Sequence, residues 1–389
     1  MSRKTIILPK GRRARIGSPW IFSNEIRMDE AAKAIAPGSI VNVRGEDGRE
    51  FGTGYFNPKS LIAVRLLTEA CDTAIDRDFF STRIGRALSL RQDFYDKPYY
   101  RLVHAEGDGL PGLVIDRFDD VVTVQIGTAG MEKQLDNIVA ALGVRLKPKT
   151  IILRNDAPSR ALEGLDSYVR AAKGEGARIA LEENGCRYLA DLAQGQKTGW
   201  YYDQRDNRAF IAGLAKGKSV LDAYSYTGGF GLLAAKAGAS EVVCLDSSAP
   251  ALALAEESAR SAKLTIQAVK ADVFEELERL IAAEEKFDIV IADPPPFVKS
   301  KKDLEPGAKA YRKLAKLAAQ VTAPGGFLLI ASCSHNMPAD RFAEECATGV
   351  TRGGRTATLI RSAGAGPDHP VHPLLPESAY LKALVYALD

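Results

Sequence analysis

The chain has 389 residues, 46% of them hydrophobic and 26% charged. That is the composition of an ordinary soluble globular protein with a sizeable core, and its length suggests two or three domains of roughly 100 to 200 residues. No apolar run approaches the ~18 residues of a membrane span, and Pro9 interrupts the apolar run after the basic N-terminus, so neither a membrane helix nor a secretory signal is expected and a cytoplasmic location follows. A net charge of +3 is too small to identify a nucleic-acid binder, although basic residues crowd two places, Arg3 to Arg15 and Lys299 to Lys316. Cys71, Cys186, Cys244, Cys333 and Cys346 are odd in number, scattered and never in a C-x-x-C pair. This argues against a disulfide framework and against a metal site, so a cysteine that matters would matter as a thiol.

In chain order, short strand-like runs at Gly38–Arg44, Gly52–Phe56 and Leu61–Leu67, separated by Gly and Asn-Pro, suggest a small β-barrel-like module. A helix over Asp76 to Tyr95, apolar at Phe79, Phe80, Ile84 and Leu88, is expected to bridge two domains. Runs at Gly112–Phe118, Val121–Ile126 and Thr150–Arg154, with a helical stretch from Met131 to Leu142, suggest a small α+β unit with antiparallel pairing. From Gly217 onward, short β-branched runs alternate with Ala/Leu-rich helices. Strands are expected at Val220–Asp222, Glu241–Asp246, Phe287–Asp293 and Gly326–Ser332, with helices at 230–237, 250–262 and 307–321. Such alternation implies a doubly wound, mostly parallel sheet that binds ligands at the carboxyl ends of its strands. Asp222, Asp246, Asp293 and Cys333 all fall there.

Behind the first of these strands, Tyr226-Thr227-Gly228-Gly229-Phe230 leads into a helix, placing glycines where backbone must approach a ligand and a helix N-terminus where an anionic group is welcome. The G-x-G-x-x-G dinucleotide pattern is absent from this turn. Asp246 stands where a carboxylate can grip a ribose diol, or cap the next helix. Asp272 can accept from an adenine amine or serve as a helix N-cap. Asp293-Pro294-Pro295-Pro296-Phe297 fixes a carboxylate beside a stiff loop, an arrangement suited to holding a planar base edge.

These segments, with Leu221 to Ser225, Ser332-Cys333-Ser334 and Gly195 to Arg208, resemble the bacterial 23S ribosomal RNA cytosine-C5 methyltransferases of the large-subunit methyltransferase I type. Pro19 to Ser23 is similar to the opening of that family's PUA domain, and Glu106 to Leu113 to the start of its central domain. The resemblance implies three domains: a PUA-like RNA-binding β-barrel at 1–70, a small central α+β domain at 75–180, and a Rossmann-like S-adenosylmethionine-dependent methyltransferase domain at 190–389. It places S-adenosylmethionine on Asp222, Tyr226, Thr227, Gly228, Gly229, Phe230, Asp246, Asp272 and Gln204. It also implies large-subunit ribosomal RNA as partner and puts Lys197, Thr198 and Arg205 near it, while the charge pattern offers Arg12, Arg13, Lys299, Lys301 and Lys302 for its phosphates. Trp200, Tyr201 and Tyr202 can stack on bases or fill core. The sequence neither demands nor excludes a homodimer.

Read without the resemblance, Cys333 is as readily a buried thiol as a nucleophile; the family pattern favours the nucleophile. Cytosine C5 is too weak a nucleophile to take a methyl group unaided, so a thiolate at C6 must first activate it. Asp293 would then hold N3 and the exocyclic amine, and the base would have to be unstacked to reach the site. His335 is read as a solvated or capping residue. Three other functions share much of this pattern: a guanine-N methyltransferase, which needs no thiol; a non-catalytic RNA-binding assembly factor; and an NAD-dependent oxidoreductase, which the glycine spacing disfavours.

Overall fold

The computed structural model describes residues 3–10, 17–196 and 198–389; Arg12, Arg13 and Lys197 lie outside the described residues. Contacts divide the chain into two compact units. One comprises Met1–Ile179, Asp191–Trp200 and Pro367–Pro376, the other Ala180–Ala190, Tyr201–Gly366 and Glu377–Asp389. Both segments expected as separate N-terminal domains, 1–70 and 75–180, thus fall almost wholly in the first unit.

In that unit β1 (Thr5–Leu8), β2 (Trp20–Ile21), α1 (Glu30–Lys33), β3 (Ser39–Gly45), β4 (Glu50–Phe56) and β5 (Val64–Thr68) build a five-stranded sheet of order β1-β3-β4-β5-β2. Its apolar face gathers Ile6, Leu8, Ile21, Val41, Val43, Phe56 and Val64 into one core. Next, α2 (Arg77–Gln92) starts where Asp76 caps the N–H groups of Asp78 and Phe79, both at 3.0 Å. Its Phe80, Ile84 and Ala87 are buried in one core with Tyr55 and Leu67 of the preceding sheet and with the following sheet. Burial of each large apolar side chain contributes about 1.5–3 kcal/mol, which holds such a helix to its sheet.

That sheet consists of β6 (Tyr99–His104), β7 (Leu113–Phe118), β8 (Val121–Ile126), β9 (Thr150–Asn155) and β10 (Tyr168–Lys173), in the order β10-β9-β8-β7-β6. Between β8 and β9 run α3 (Ala129–Glu132) and α4 (Leu135–Arg145). The helical crossover makes β8 and β9 parallel, against the expected antiparallel pairing; the other neighbours are antiparallel.

β11 (Arg178–Glu183) and β12 (Cys186–Asp191) form a two-stranded ribbon around Asn184-Gly185. Both turn residues have positive φ, 51° and 70°, which the Asn-Gly pair tolerates. In the second unit α5 (Arg205–Leu214), β13 (Ser219–Ala223), α6 (Gly229–Lys236), β14 (Glu241–Asp246), α7 (Ala249–Ala262), β15 (Gln267–Lys270) and α8 (Val273–Ala282) come first. They are followed by β16 (Phe287–Ala292), α9 (Leu304–Val321), β17 (Thr322–Ser332), α10 (Ala339–Arg352), β18 (Ala357–Ala363) and β19 (Lys382–Leu388).

The seven strands lie in the order β15-β14-β13-β16-β17-β19-β18. The first five are parallel, and β19 enters antiparallel between β17 and β18. This is the doubly wound sheet expected from the sequence, extended by β15, β18 and β19. Alternate residues feed two cores: Leu221, Val290, Leu328 and Ile330 pack with Tyr311, Leu314 and Phe342, while Val220, Ile289, Ile291 and Leu329 pack with Ile211, Phe230 and Ala234. Strand order reverses about β13 and β16, so the crevice beyond their carboxyl ends is where such a sheet takes a ligand. Among the described residues, no helix is long and apolar enough to cross a membrane.

Candidate functional site

At the end of β13 the chain turns sharply. Tyr224, Tyr226 and Gly228 all have positive φ (63°, 49° and 77°), a conformation that costs a non-glycine residue energy and that clusters at functional sites. Two contacts hold it: the Tyr226 N–H donates to Asp246 Oδ2 at 2.9 Å, and the Gly228 N–H donates to the Ser225 carbonyl at 2.8 Å. The other Asp246 oxygen accepts the Ser248 N–H at 2.8 Å. Asp246 therefore ties the end of β14 to the turn while standing at the strand end expected of a ribose ligand.

Asp222 is buried, and its Oδ2 accepts the N–H of Gly231, in the first turn of α6, at 2.8 Å. A Cβ at Gly231 would stand 2.5 Å from Cys244 Sγ, so the helix can approach β14 this closely only with glycine. Burial raises the Asp222 carboxyl to about 7 against the pull of the Gly231 N–H, and Asp293 adds to the rise. Between about pH 4 and 7 the folded protein holds a proton that the unfolded chain has lost, so stability falls as pH rises through that window and then levels off. Asp222→Asn is expected to remove this decline. In melts of cofactor-free protein the variant should match the original near pH 4 and exceed it by about 4 kcal/mol at pH 8. Parallel pH profiles for the two proteins would refute the argument.

Four buried polar atoms near the turn have no hydrogen-bond partner among the described residues: Gln204 Nε2, Asn207 Oδ1, Ser225 Oγ and Thr227 Oγ1. Such atoms are costly to leave unmatched unless a ligand satisfies them. Thr227 and Gln204 were expected on the cofactor from sequence, whereas Ser225 and Asn207 were not. The Asn207 amide donates to Gln204 Oε1 at 2.7 Å and so orients the Gln204 side chain. Asp272 is exposed at the start of α8, where its Oδ1 accepts the Phe274 and Glu275 N–H groups at 2.9 and 3.2 Å. It is an N-cap, and its second oxygen is not engaged by the helix.

Asp293 follows β16 directly, its N–H donating to the Ala223 carbonyl at 3.4 Å. Cys333 follows β17, two strands from the glycine turn. The serines on either side of it face Tyr311 on α9: Ser332 Oγ lies 2.8 Å and Ser334 Oγ 2.9 Å from the Tyr311 hydroxyl. Cys333 turns instead toward the loop after β16, and its partly exposed thiol donates to the Pro294 carbonyl at 3.9 Å. The thiol is thereby brought beside the residue that follows Asp293. Tyr201 packs edge-on to Tyr226, with ring centroids 5.4 Å apart. Burial pushes its hydroxyl up beyond ordinary titration, with Tyr226, Asp203, Asp293 and Cys333 adding to the shift.

The Pro-rich loop after Asp293 is fastened to the cysteine turn. The Val298 N–H donates to Ser334 Oγ at 3.2 Å, and the Asn336 amide donates to the Lys299 carbonyl at 3.1 Å. Lys299, Lys301 and Lys302 are exposed on this loop. Farther along α9, Arg312 pairs with Glu345 at 2.5 Å and Lys313 with Glu278 at 2.9 Å, so these two cations are engaged within the fold.

Two sequence expectations, for Arg205 and Thr198, need correction, and the open reading of Trp200 and Tyr202 resolves to core. Arg205 is buried, paired with Glu183 at 3.6 Å and seated over the Tyr202 ring, so it is not placed as a phosphate contact. Thr198 is buried in the first unit, so its side chain is not exposed to an RNA backbone. Trp200 and Tyr202 are core residues rather than open stacking platforms. His335 is exposed as expected, with its ring 5.1 Å from that of Tyr380. The sequence reading missed Tyr311, Lys382 and the Arg208–Glu183 pair, whose 2.8 Å contact is buried behind the glycine turn. Only the Ser-Cys-Ser alternation hinted at the first of these.

Comparison with known proteins agrees with this geometry. Residues 165–386 match the S-adenosylmethionine-dependent methyltransferase family and residues 8–69 the PUA-like domain family. The ribosomal RNA large subunit methyltransferase I of Shewanella denitrificans is 40% identical over 375 residues, covering 94% of either chain. That of Aeromonas salmonicida is 38% identical over 390 residues, covering 98% of either chain. Among solved structures, one described as a SAM-dependent methyltransferase from Streptococcus mutans matches with a TM-score of 0.82 at 22% identity, over 99% of this chain and 100% of that one. Another, a methyltransferase complexed with SAH, matches with a TM-score of 0.84 at 22% identity and the same coverage.

Proposed function

The chain belongs to the ribosomal RNA large subunit methyltransferase I family, and on that premise we propose that it forms 5-methylcytosine in large-subunit ribosomal RNA, with Cys333 as nucleophile. The observation that carries this reading is the placement of Cys333. It is a partly exposed thiol at the carboxyl edge of the sheet, turned away from its flanking serines and toward the loop that begins at Asp293. A methyltransferase acting on a ring nitrogen needs no thiol there.

S-adenosylmethionine supplies an electrophilic methyl group on a positively charged sulfur. The residues present fit such a ligand. Asp246 and Asp293 gather negative charge at one edge, where both oppose ionisation of Asp222, and this suits a sulfonium and an ammonium. Gln204 and Thr227 carry two of the four unmatched buried polar atoms described above, suited to the methionine end. Tyr226, Gly228, Gly229 and Phe230 form the close-approach turn, Asp246 takes the ribose hydroxyls, and the free oxygen of Asp272 takes the adenine amine.

On the substrate side, the Cys333 thiolate adds its electron pair to C6 of the cytosine. The C5–C6 π electrons shift to form C4=C5, the C4=N3 π pair moves onto N3, and N3 takes a proton. C5 is now the nucleophilic carbon of an enamine and can accept the methyl group. As C5 takes the methyl group, C4=N3 re-forms; loss of the C5 proton to solvent then returns an electron pair to C5–C6, expels the thiolate, and the N3 proton also passes to solvent. Asp293 accepts from the exocyclic amine throughout and from N3–H in the adduct, so its contact is strongest in the adduct, where it lowers the barrier. Lys299, Lys301 and Lys302, on the loop fastened to the cysteine turn, contact the phosphates flanking the unstacked base.

The test is to incubate ribosomal RNA from a strain lacking the enzyme with the protein and isotope-labelled S-adenosylmethionine, then to analyse nucleosides by mass spectrometry. Labelled 5-methylcytidine is the expected product. Label in a methylguanosine would replace the cytosine reading, and RNA binding without label would favour an assembly factor.

A further inference from the structure

The antiparallel strand β19 opens on Lys382, which stands directly across the ladder from Ser332, the residue before Cys333. Its ammonium is half-buried and points into the turn that follows the cysteine. It donates to the Ser334 carbonyl at 2.7 Å and to the Met337 carbonyl at 2.9 Å. The turn between those carbonyls is closed by the Met337 N–H, which donates to the same Ser334 carbonyl at 3.2 Å. One cation therefore ties both ends of the turn that leaves the nucleophile. Two of its three N–H groups are used in doing so.

Among the described residues, titratable groups near the thiol lie on or beside four elements. Asp293 follows β16, Tyr201 precedes α5, Tyr311 lies on α9, and Lys382 begins β19. Two are phenols and one is a carboxylate, all of which oppose a thiolate once ionised. Lys382 contributes a cation to this group.

We propose that Lys382 is a positioning residue for the methyl transfer: it holds the 333–337 turn in place and sets a positive charge beside Cys333, so that the thiolate is available near neutral pH. The proposal rests on the assignment of Cys333 as nucleophile. A lysine beside a cysteine is a recognised means of favouring the thiolate. Burial lowers Lys382 to about 8, and the neighbouring Cys333 counteracts part of that fall, so the ammonium persists in the range where a reactive thiol must ionise.

The test uses the full-length protein without RNA or cofactor. The rate of Cys333 alkylation by iodoacetamide is followed against pH, and the Cys333 peptide is quantified by mass spectrometry. Lys382→Met is expected to move the half-point of the curve upward by ~1 to 2 pH units, while Lys382→Arg keeps it near the original. A purely structural role would change stability or turnover without moving the half-point. If Lys382→Met does not fold, Lys382→Gln, which keeps a donor for one of the carbonyls, carries the same comparison. Coincident curves for the original and the neutral variant would overturn the proposal. Because alkylation needs no substrate, that outcome leaves the cytosine reading standing. Conversely, 5-methylcytosine made by Cys333→Ala would remove the cytosine mechanism without altering the alkylation result.

Discussion

Cys333→Ala is expected to reduce 5-methylcytosine formation by at least ~10³-fold, the scale on which loss of a nucleophile acts, while S-adenosylmethionine affinity stays within a few-fold of the original. The two quantities separate because the thiol lies two strands away from the glycine turn, past the end of β17. The other thiols are differently placed. Cys186, Cys244 and Cys346 are buried, and desolvation pushes each of their thiols up; Cys71 lies beyond the N-terminal sheet, in the other unit. The measurements are nucleoside mass spectrometry and calorimetric titration of the cofactor. RNA carrying 5-fluorocytidine adds a direct view of the intermediate. Fluorine at C5 cannot leave as a proton, so an adduct with the original protein should survive denaturing electrophoresis, and none should form with Cys333→Ala. Full activity in the alanine variant would end the covalent mechanism.

The legible part of this site came from local pattern. Alternation of β-branched runs with Ala/Leu helices fixed the parallel strands, and the rule for such sheets then put Asp222, Asp246, Asp293 and Cys333 at one edge. What stayed hidden depended on partners distant in sequence. Lys382 reads as an ordinary lysine until the ladder sets it opposite Ser332, 50 residues earlier. β18 and β19 were not anticipated at all, because an antiparallel strand inserted between its neighbours lacks the βα rhythm that reveals the others. Arg205 and Tyr202 looked like an RNA-binding pair because they are basic and aromatic in sequence. The fold instead closes them on one another and on Glu183. Local composition marks what a side chain can do, and burial decides what it does. The Asn184-Gly185 hairpin was the exception, a local signal that went unread.

Asp293→Asn makes the second large prediction, and it distinguishes holding the base from preparing the thiol. The amide keeps the shape of the carboxylate but gives up its charge and half of its acceptor capacity, so the contact to the exocyclic amine and to N3–H in the adduct is weakened where it counts. Turnover should fall by ~10² to 10³-fold, the cost typical of removing one group that stabilises developing charge. Thiol reactivity should move in the other direction. A carboxylate beside a cysteine disfavours the thiolate, so its removal is expected to shift the Cys333 alkylation half-point downward, opposite to Lys382→Met. The same substitution should reduce the pH-dependent loss of stability attributed to Asp222, since Asp293 helps raise that carboxyl. A more reactive nucleophile in a nearly inactive enzyme would place Asp293 on the base. A variant losing less than ~10-fold in turnover would mean that the cytosine edge is held by some other residue.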